Sequence, residues 1–169
     1  MRKSLNQKGF TLIELLIVMA IISIIAAVVF VALDPLTRFR DSRDAARWTD
    51  VSAIVSAIKI DQVDNGGAYM SAINSMASGT VYMITDSAVT TGCASAASYC
   101  DVDVASDSSC VNLSELVTQG YLGKVPVSPN GEGTWSGSLT GYTIEKSSTG
   151  ILTVRACEAE NASEIKVAR

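Results

Sequence analysis

The chain contains no histidine among its 169 residues. That removes the Ser-His and Cys-His arrangements on which nucleophilic hydrolases rely. It also weakens a metal reading, because no Cys-x-x-Cys pair stands in for the missing imidazoles. A glycine-rich phosphate-binding loop is absent too. The chain therefore reads as a non-enzyme with no cofactor and no metal. Beyond Ile60 bases are outnumbered by acids, which argues against nucleic-acid binding through a broad basic surface.

A second scarcity is local. Between Phe10 and Leu33 only Thr11, Glu14 and Ser23 are polar, and Lys and Arg are missing altogether. As a helix this stretch measures ~36 Å at about 1.5 Å per residue, against about 30 Å for the hydrocarbon core of a bilayer. It is long enough to span a membrane with some tilt. Arg2, Lys3 and Lys8 precede it. Such a basic start holds the N-terminus in the cytoplasm and sends the remainder outward.

The order of the parts distinguishes this start from an ordinary secretory signal, in which a small-residue cleavage site follows a shorter apolar core. Here the small residue, Gly9, precedes the run. Cleavage there removes the charged leader and leaves the apolar helix on the mature protein. Ala26-Ala27-Val28 imitates a conventional site but lies inside the helix.

Lys8-Gly9-Phe10-Thr11-Leu12-Ile13-Glu14 closely resembles the N-terminal motif of type IV prepilins and type II secretion pseudopilins. The resemblance implies cleavage between Gly9 and Phe10 by a prepilin peptidase and N-methylation of Phe10. It implies an α+β type IV pilin fold, a long N-terminal helix packed on a small antiparallel sheet. It also implies identical or homologous pilin subunits and a pilus assembly platform as partners, with membrane lipid around the helix before assembly. The expected location is the inner membrane for the precursor, with its head outside the cytoplasm, and then an extracellular pilus.

Glu14 carries a physical argument of its own. A carboxylate inside a bilayer costs roughly 2.5–3.5 kcal/mol on insertion scales. Snorkelling to the interface is one way to reduce that cost. Pairing with the α-amino group of Phe10 on a neighbouring subunit is another, and it makes Glu14 the residue that sets assembly register. Ser23 is read as bonding back to the carbonyl four residues earlier. Ala20, Ala26 and Ala27 allow close helix packing.

Four segments follow from this reading: a leader at 1–9, an apolar helix at 10–33, an amphipathic continuation at 34–62 and a disulfide-stapled head at 63–169. Asp34-Pro35 predicts a kink rather than a stop, because helical periodicity resumes at once. Trp48, Val51, Val55 and Ile58, with Ile54 beside them, form an apolar stripe for the head. Arg38, Arg40, Asp41, Arg43, Asp44, Arg47 and Asp50 are assigned to the other face, solvated or bridging between subunits. Asn65-Gly66-Gly67 ends the helix.

In the head, strands are predicted at 80–85, 142–145 and 151–156, the last two joined through Ser147-Ser148-Thr149-Gly150. A short helix is expected over 112–117, with Asn112 or Ser114 as cap. The polar tail from Glu158 onward reads as an exposed extension. Cys93, Cys100, Cys110 and Cys157 are even in number and exported, which predicts two disulfides. Three pairings are open. Loop length favours Cys93–Cys100 with Cys110–Cys157. Asp101, Asp103 and Asp107 are read as solvated loop acids rather than a calcium site, since the glycine and final glutamate of an EF-hand are missing. Asn112-Leu113-Ser114 and Asn161-Ala162-Ser163 match a short glycosylation pattern of low specificity.

Pseudopilins of similar layout typically carry an acidic calcium loop and lack disulfides. The 129–135 segment here is poor in acids and the head has four cysteines, which favours a pilin. An anchored protein that never polymerises is a third reading. Adhesion, motility, DNA uptake and secretion all use one subunit architecture.

Overall fold

Twenty-two consecutive residues, Leu12–Leu33, form helix α1 in a computed structural model that describes residues 9–169. Arg2, Lys3 and Lys8, and with them most of the leader, lie outside the described residues. None of the α1 residues is buried. Asp34 interrupts the helix with a left-handed backbone at φ 37°, because Pro35 supplies no N–H and disfavours a helical residue before it. Helix α2 begins at once and runs Pro35–Asp64. The Asp34 carboxylate accepts from the Thr37 hydroxyl at 2.6 Å, securing the new first turn. The described chain divides into two units at the Phe39–Arg40 step, so α2 starts in the first and continues through the second.

The second unit is built on a five-stranded sheet of order β2-β1-β3-β4-β5. The strands are β1 Val81–Thr85, β2 Cys110–Asn112, β3 Tyr142–Lys146, β4 Leu152–Ala156 and β5 Lys166–Ala168. Helices α3 (Ser71–Asn74) and α4 (Ser114–Thr118) are single turns. β3 and β4 form the predicted hairpin, with Ile144 opposite Val154 and Gly150 at φ 83° in its turn. The N-cap of α4 is Leu113, with no side-chain cap bond, rather than Asn112 or Ser114, because the turn starts at Ser114; Asn112 Oδ1 accepts from the Ser114 N–H at 2.9 Å across the approach to it. α2 ends through Gly66 and Gly67 at φ 66° and 95°, where the Gly67 N–H returns to the Gln62 carbonyl at 2.7 Å.

The sheet is mixed rather than wholly antiparallel, because β1 and β2 are parallel. A connection of some two dozen residues separates β1 from β2, long enough for the crossover that parallel pairing needs. The tail is not an exposed extension either. β5 pairs with β4, and Ile165 is fully buried. Pairing satisfies backbone groups that β4 would otherwise leave open at the edge of the sheet.

Apolar residues cover both faces of the sheet. On one, Val51, Ile54, Val55 and Ile58 of α2 pack with Ile84, Ile144, Leu152 and Val154. On the other, Val81 and Met83 meet Cys93, Ala97, Val104, Trp135 and Cys157. Trp48 departs from the expected stripe and is 41% exposed. The place assigned to it is taken by Arg47, with no exposed surface at all.

Candidate functional site: the N-terminal helix and the helix–head charge network

Gly9 and Phe10 precede the helix, outside regular secondary structure and solvent-exposed, with open space around Gly9. The peptide between them is therefore free of helical hydrogen bonding. Thr11 is the N-cap of α1. Its hydroxyl accepts from the Glu14 N–H at 3.3 Å, and Glu14 Oε2 accepts from the Thr11 N–H and hydroxyl, both at 2.8 Å. This reciprocal capping box satisfies donors that the first helical turn would otherwise leave open. It also gives the carboxylate two donors within its own chain. Ser23 donates to the Met19 carbonyl at 2.7 Å, the back-bond its position predicts.

The second constellation lies where α2 enters the head. Arg47 Nη1 donates to Asp44 Oδ1 at 2.8 Å and to Glu160 Oε1 at 2.9 Å. Its Nη2 reaches the Pro129 carbonyl at 3.1 Å and Glu158 Oε2 at 3.4 Å, and its Nε reaches the Ser128 hydroxyl at 3.1 Å. Every N–H direction of the guanidinium is thereby engaged, as a buried cation requires. Arg43 grips Glu160 through both Nε, at 2.6 Å, and Nη2.

Asp44 collects the backbone N–H groups of Glu160, Asn161 and Ala162 at 2.8–3.2 Å. Burial pushes its carboxyl up, but those three donors and Arg47 outweigh burial and hold it below the usual carboxylate range. The hydrogen bond from Arg43 likewise lowers Glu160, against burial and with help from Arg47. Glu158 accepts from the Glu132 and Gly133 N–H groups and from the Trp135 indole, and so organises the loop before β3. Tyr142, fully buried in β3, donates to Asp50 Oδ2 at 2.6 Å; burial and this bond both raise its phenol.

Asp44 and Arg47 are thus buried partners of the head and not members of a solvated face. Their spacing contained the signal, because Asp44, Arg47, Val51, Ile54, Ile58 and Asp61 repeat three and four apart, and all six are buried. Charge misassigned the first two members of that row, Asp44 and Arg47.

The four cysteines form Cys93–Cys110 and Cys100–Cys157, not the pairing that loop length favours. Backbone lacing decides it. The Cys93 N–H donates to the Asp107 carbonyl near β2, and the Asp101 N–H donates to Cys157 itself. Each bond brings together cysteines that are distant in sequence.

Asp107 Oδ1 caps the Ser95 N–H at 2.8 Å. Among the described residues no group of three or more acids, cysteines or histidines is arranged for a metal. Asn161 Nδ2 donates to Asp41 Oδ1 at 2.8 Å.

Residues 4–30 match the prokaryotic N-terminal methylation motif. The chain carries a prepilin-type N-terminus. That signature, for cleavage and methylation, is shared by type IV pilins and pseudopilins, which are structural proteins. The prepilin-type motif implies processing by a prepilin peptidase and assembly with other pilin subunits. The long N-terminal helix and five-stranded mixed sheet match the type IV pilin fold. Together the apolar helix and the motif fit membrane anchoring of a pilin-like precursor. No curated protein and no solved structure matches the chain.

Proposed function

We propose that this chain is a structural subunit of a type IV pilus. It is cut between Gly9 and Phe10, methylated on the new Phe10 amino group and polymerised through α1. One observation carries the reading: α1 is apolar along its length, buries none of its residues in its own chain, and holds the carboxylate of Glu14 in its first turn. Such a surface needs lipid in storage and other helices afterwards.

Glu14 pairs with the Phe10 amino group of a neighbouring subunit. A carboxylate offers about four lone-pair sites, so this partner adds to the two bonds from Thr11 without displacing them. The segment assignments follow: leader at 1–9, filament-core helix at 10–33, amphipathic continuation at 34–62 and head at 63–169. Subunits of the same kind, a prepilin peptidase, an assembly platform and, before assembly, bilayer lipid are the partners. The assembled protein is extracellular.

The pilin reading is favoured over the pseudopilin one by the loop at 129–135. That loop closes around the Glu158 carboxylate, which takes its N–H groups, and two disulfides staple the head behind it.

Mass analysis of the mature N-terminus and electron microscopy of filaments test the proposal together. Expected are a methylated Phe10 and filaments in which this chain is present. Glu14→Ala should be cleaved normally and yield few or no filaments. An intact leader, or normal filament yield from Glu14→Ala, refutes it.

A further inference from the structure

A polar groove of about 440 Å³ opens between the start of the head section of α2, the end of the 3-10 turn at Ser95–Tyr99, the loop before β3 and the chain after β4. The charges of Glu158 and Glu160 in its lining are spent. Glu158 is taken by Arg47, the loop N–H groups and the Trp135 indole, and Glu160 is taken by Arg43 and Arg47. Arg43, also in the lining, is spent on Glu160, but three further charged groups are not. Arg40, on the helix, makes no ion pair and no side-chain hydrogen bond among the described residues. The same holds for the carboxylates of Asp101 and Glu132, which come from the loops. The Tyr99 ring beside them is half exposed. Partial burial and the Glu164 carboxylate push the Asp101 carboxyl up.

A groove with a free guanidinium from one element, and free carboxylates and an aromatic ring from others, suits a ligand that carries both charges. Arginine binds phosphate through its planar fork. Carboxylates and a tyrosine face hold an ammonium group. We propose that the groove binds a phosphate–ammonium zwitterion of the phosphoethanolamine type, phosphate on Arg40 and ammonium between Tyr99, Asp101 and Glu132. The source is a phospholipid head group, an assignment that rests on storage of the chain in the bilayer. Arg40 follows Leu33 by seven positions, so even a fully extended chain keeps it within about 25 Å of the end of the apolar run. The head-group layer, roughly 5–8 Å deep, borders the end of an apolar span, and arginine side chains snorkel toward it.

The test uses the full chain, isotope-labelled in detergent and titrated with soluble phosphoethanolamine while amide resonances are followed. Saturable shifts are expected at residues 99–101, 131–132 and 158–160. Arg40→Gln and Asp101→Asn, both at exposed positions, should each weaken binding about tenfold, the value of one charge-assisted hydrogen bond. Phosphate alone and ethanolamine alone should bind more weakly than the zwitterion. In nanodiscs, the same shifts should appear with phosphatidylethanolamine and not with phosphatidylglycerol. Absence of saturable shifts, or unchanged binding by both variants, overturns the site. Binding of the soluble compound without a response in the nanodiscs overturns the lipid source. Failure of the chain to enter bilayers, read separately by alkaline extraction, defeats the membrane reading and leaves the detergent titration to judge the groove.

Discussion

Arg47 Nη1 lies 2.8 Å from Asp44 Oδ1, one turn earlier on α2, and both side chains are buried against the head. The pair is the hub of a network that reaches Glu158, Glu160 and, through Asp44, the backbone of 160–162. Apolar stripes tolerate a slip by one turn more readily than a buried guanidinium tolerates lost acceptors. The network therefore pins α2 in one register along the sheet.

Removal of Arg47 leaves its carboxylate partners uncompensated. Arg47→Ala should lower stability by about 3–5 kcal/mol, the usual cost of breaking a buried ion pair. Arg155→Ala, which breaks more exposed bridges to Glu145 and Glu164, should cost about 1 kcal/mol or less. Urea denaturation of the full chain in detergent measures both. Equal losses would show that burial of Arg47 has no special weight.

Acid should loosen the same contact. Asp44 and Glu160 have carboxyls depressed in the folded state, from ordinary values of 3.8 and 4.5. The native state thus holds fewer protons than the unfolded chain in this range. Their stabilisation is complete above those ordinary values and is lost as pH falls through the lower folded ones. The thermal midpoint should drop below about pH 4.5. Asp44→Asn combined with Glu160→Gln should flatten that drop, and an unchanged slope would place the effect on other carboxylates.

Peptide mapping without reductant should recover Cys93–Cys110 and Cys100–Cys157. The bridges close loops of 17 and 57 residues, worth about 3 and 4 kcal/mol by chain entropy. Loss of Cys100–Cys157 should be the more damaging, because it also frees the stapled loop from the second face of the sheet. Recovery of a Cys93–Cys100 peptide would contradict the fold of that loop.

Gly141 has φ 76°, and a Cβ there would stand 2.5 Å from the Trp135 ring. Gly141→Ala should cost about 2–4 kcal/mol, from left-handed backbone strain and overpacking together. Gly150→Ala, at φ 83° but in open space, should cost only the backbone share, about 1–2 kcal/mol. Denaturation midpoints of the two variants separate the contributions.

Periodicity and punctuation made much of this protein legible in advance. The apolar run from Phe10 to Leu33, the break at Asp34-Pro35, the exit through Gly66-Gly67, and the β3–β4 hairpin are local features, each set by residues a few positions apart. The N-terminal motif is local as well, which is why it was readable from Lys8 to Glu14. Other features required the folded chain. Arg47 and Asp44 looked solvated because charge usually is, and only the return of 158–162 past α2 supplies the partners that make their burial affordable. The cysteine pairing and the parallel β2 likewise depend on which distant strands become neighbours. Sequence alone determined the apolar N-terminal helix and its motif; tertiary structure decided how α2 is fastened to the sheet, because hydrogen-bond partners more than a hundred residues apart leave no periodic trace.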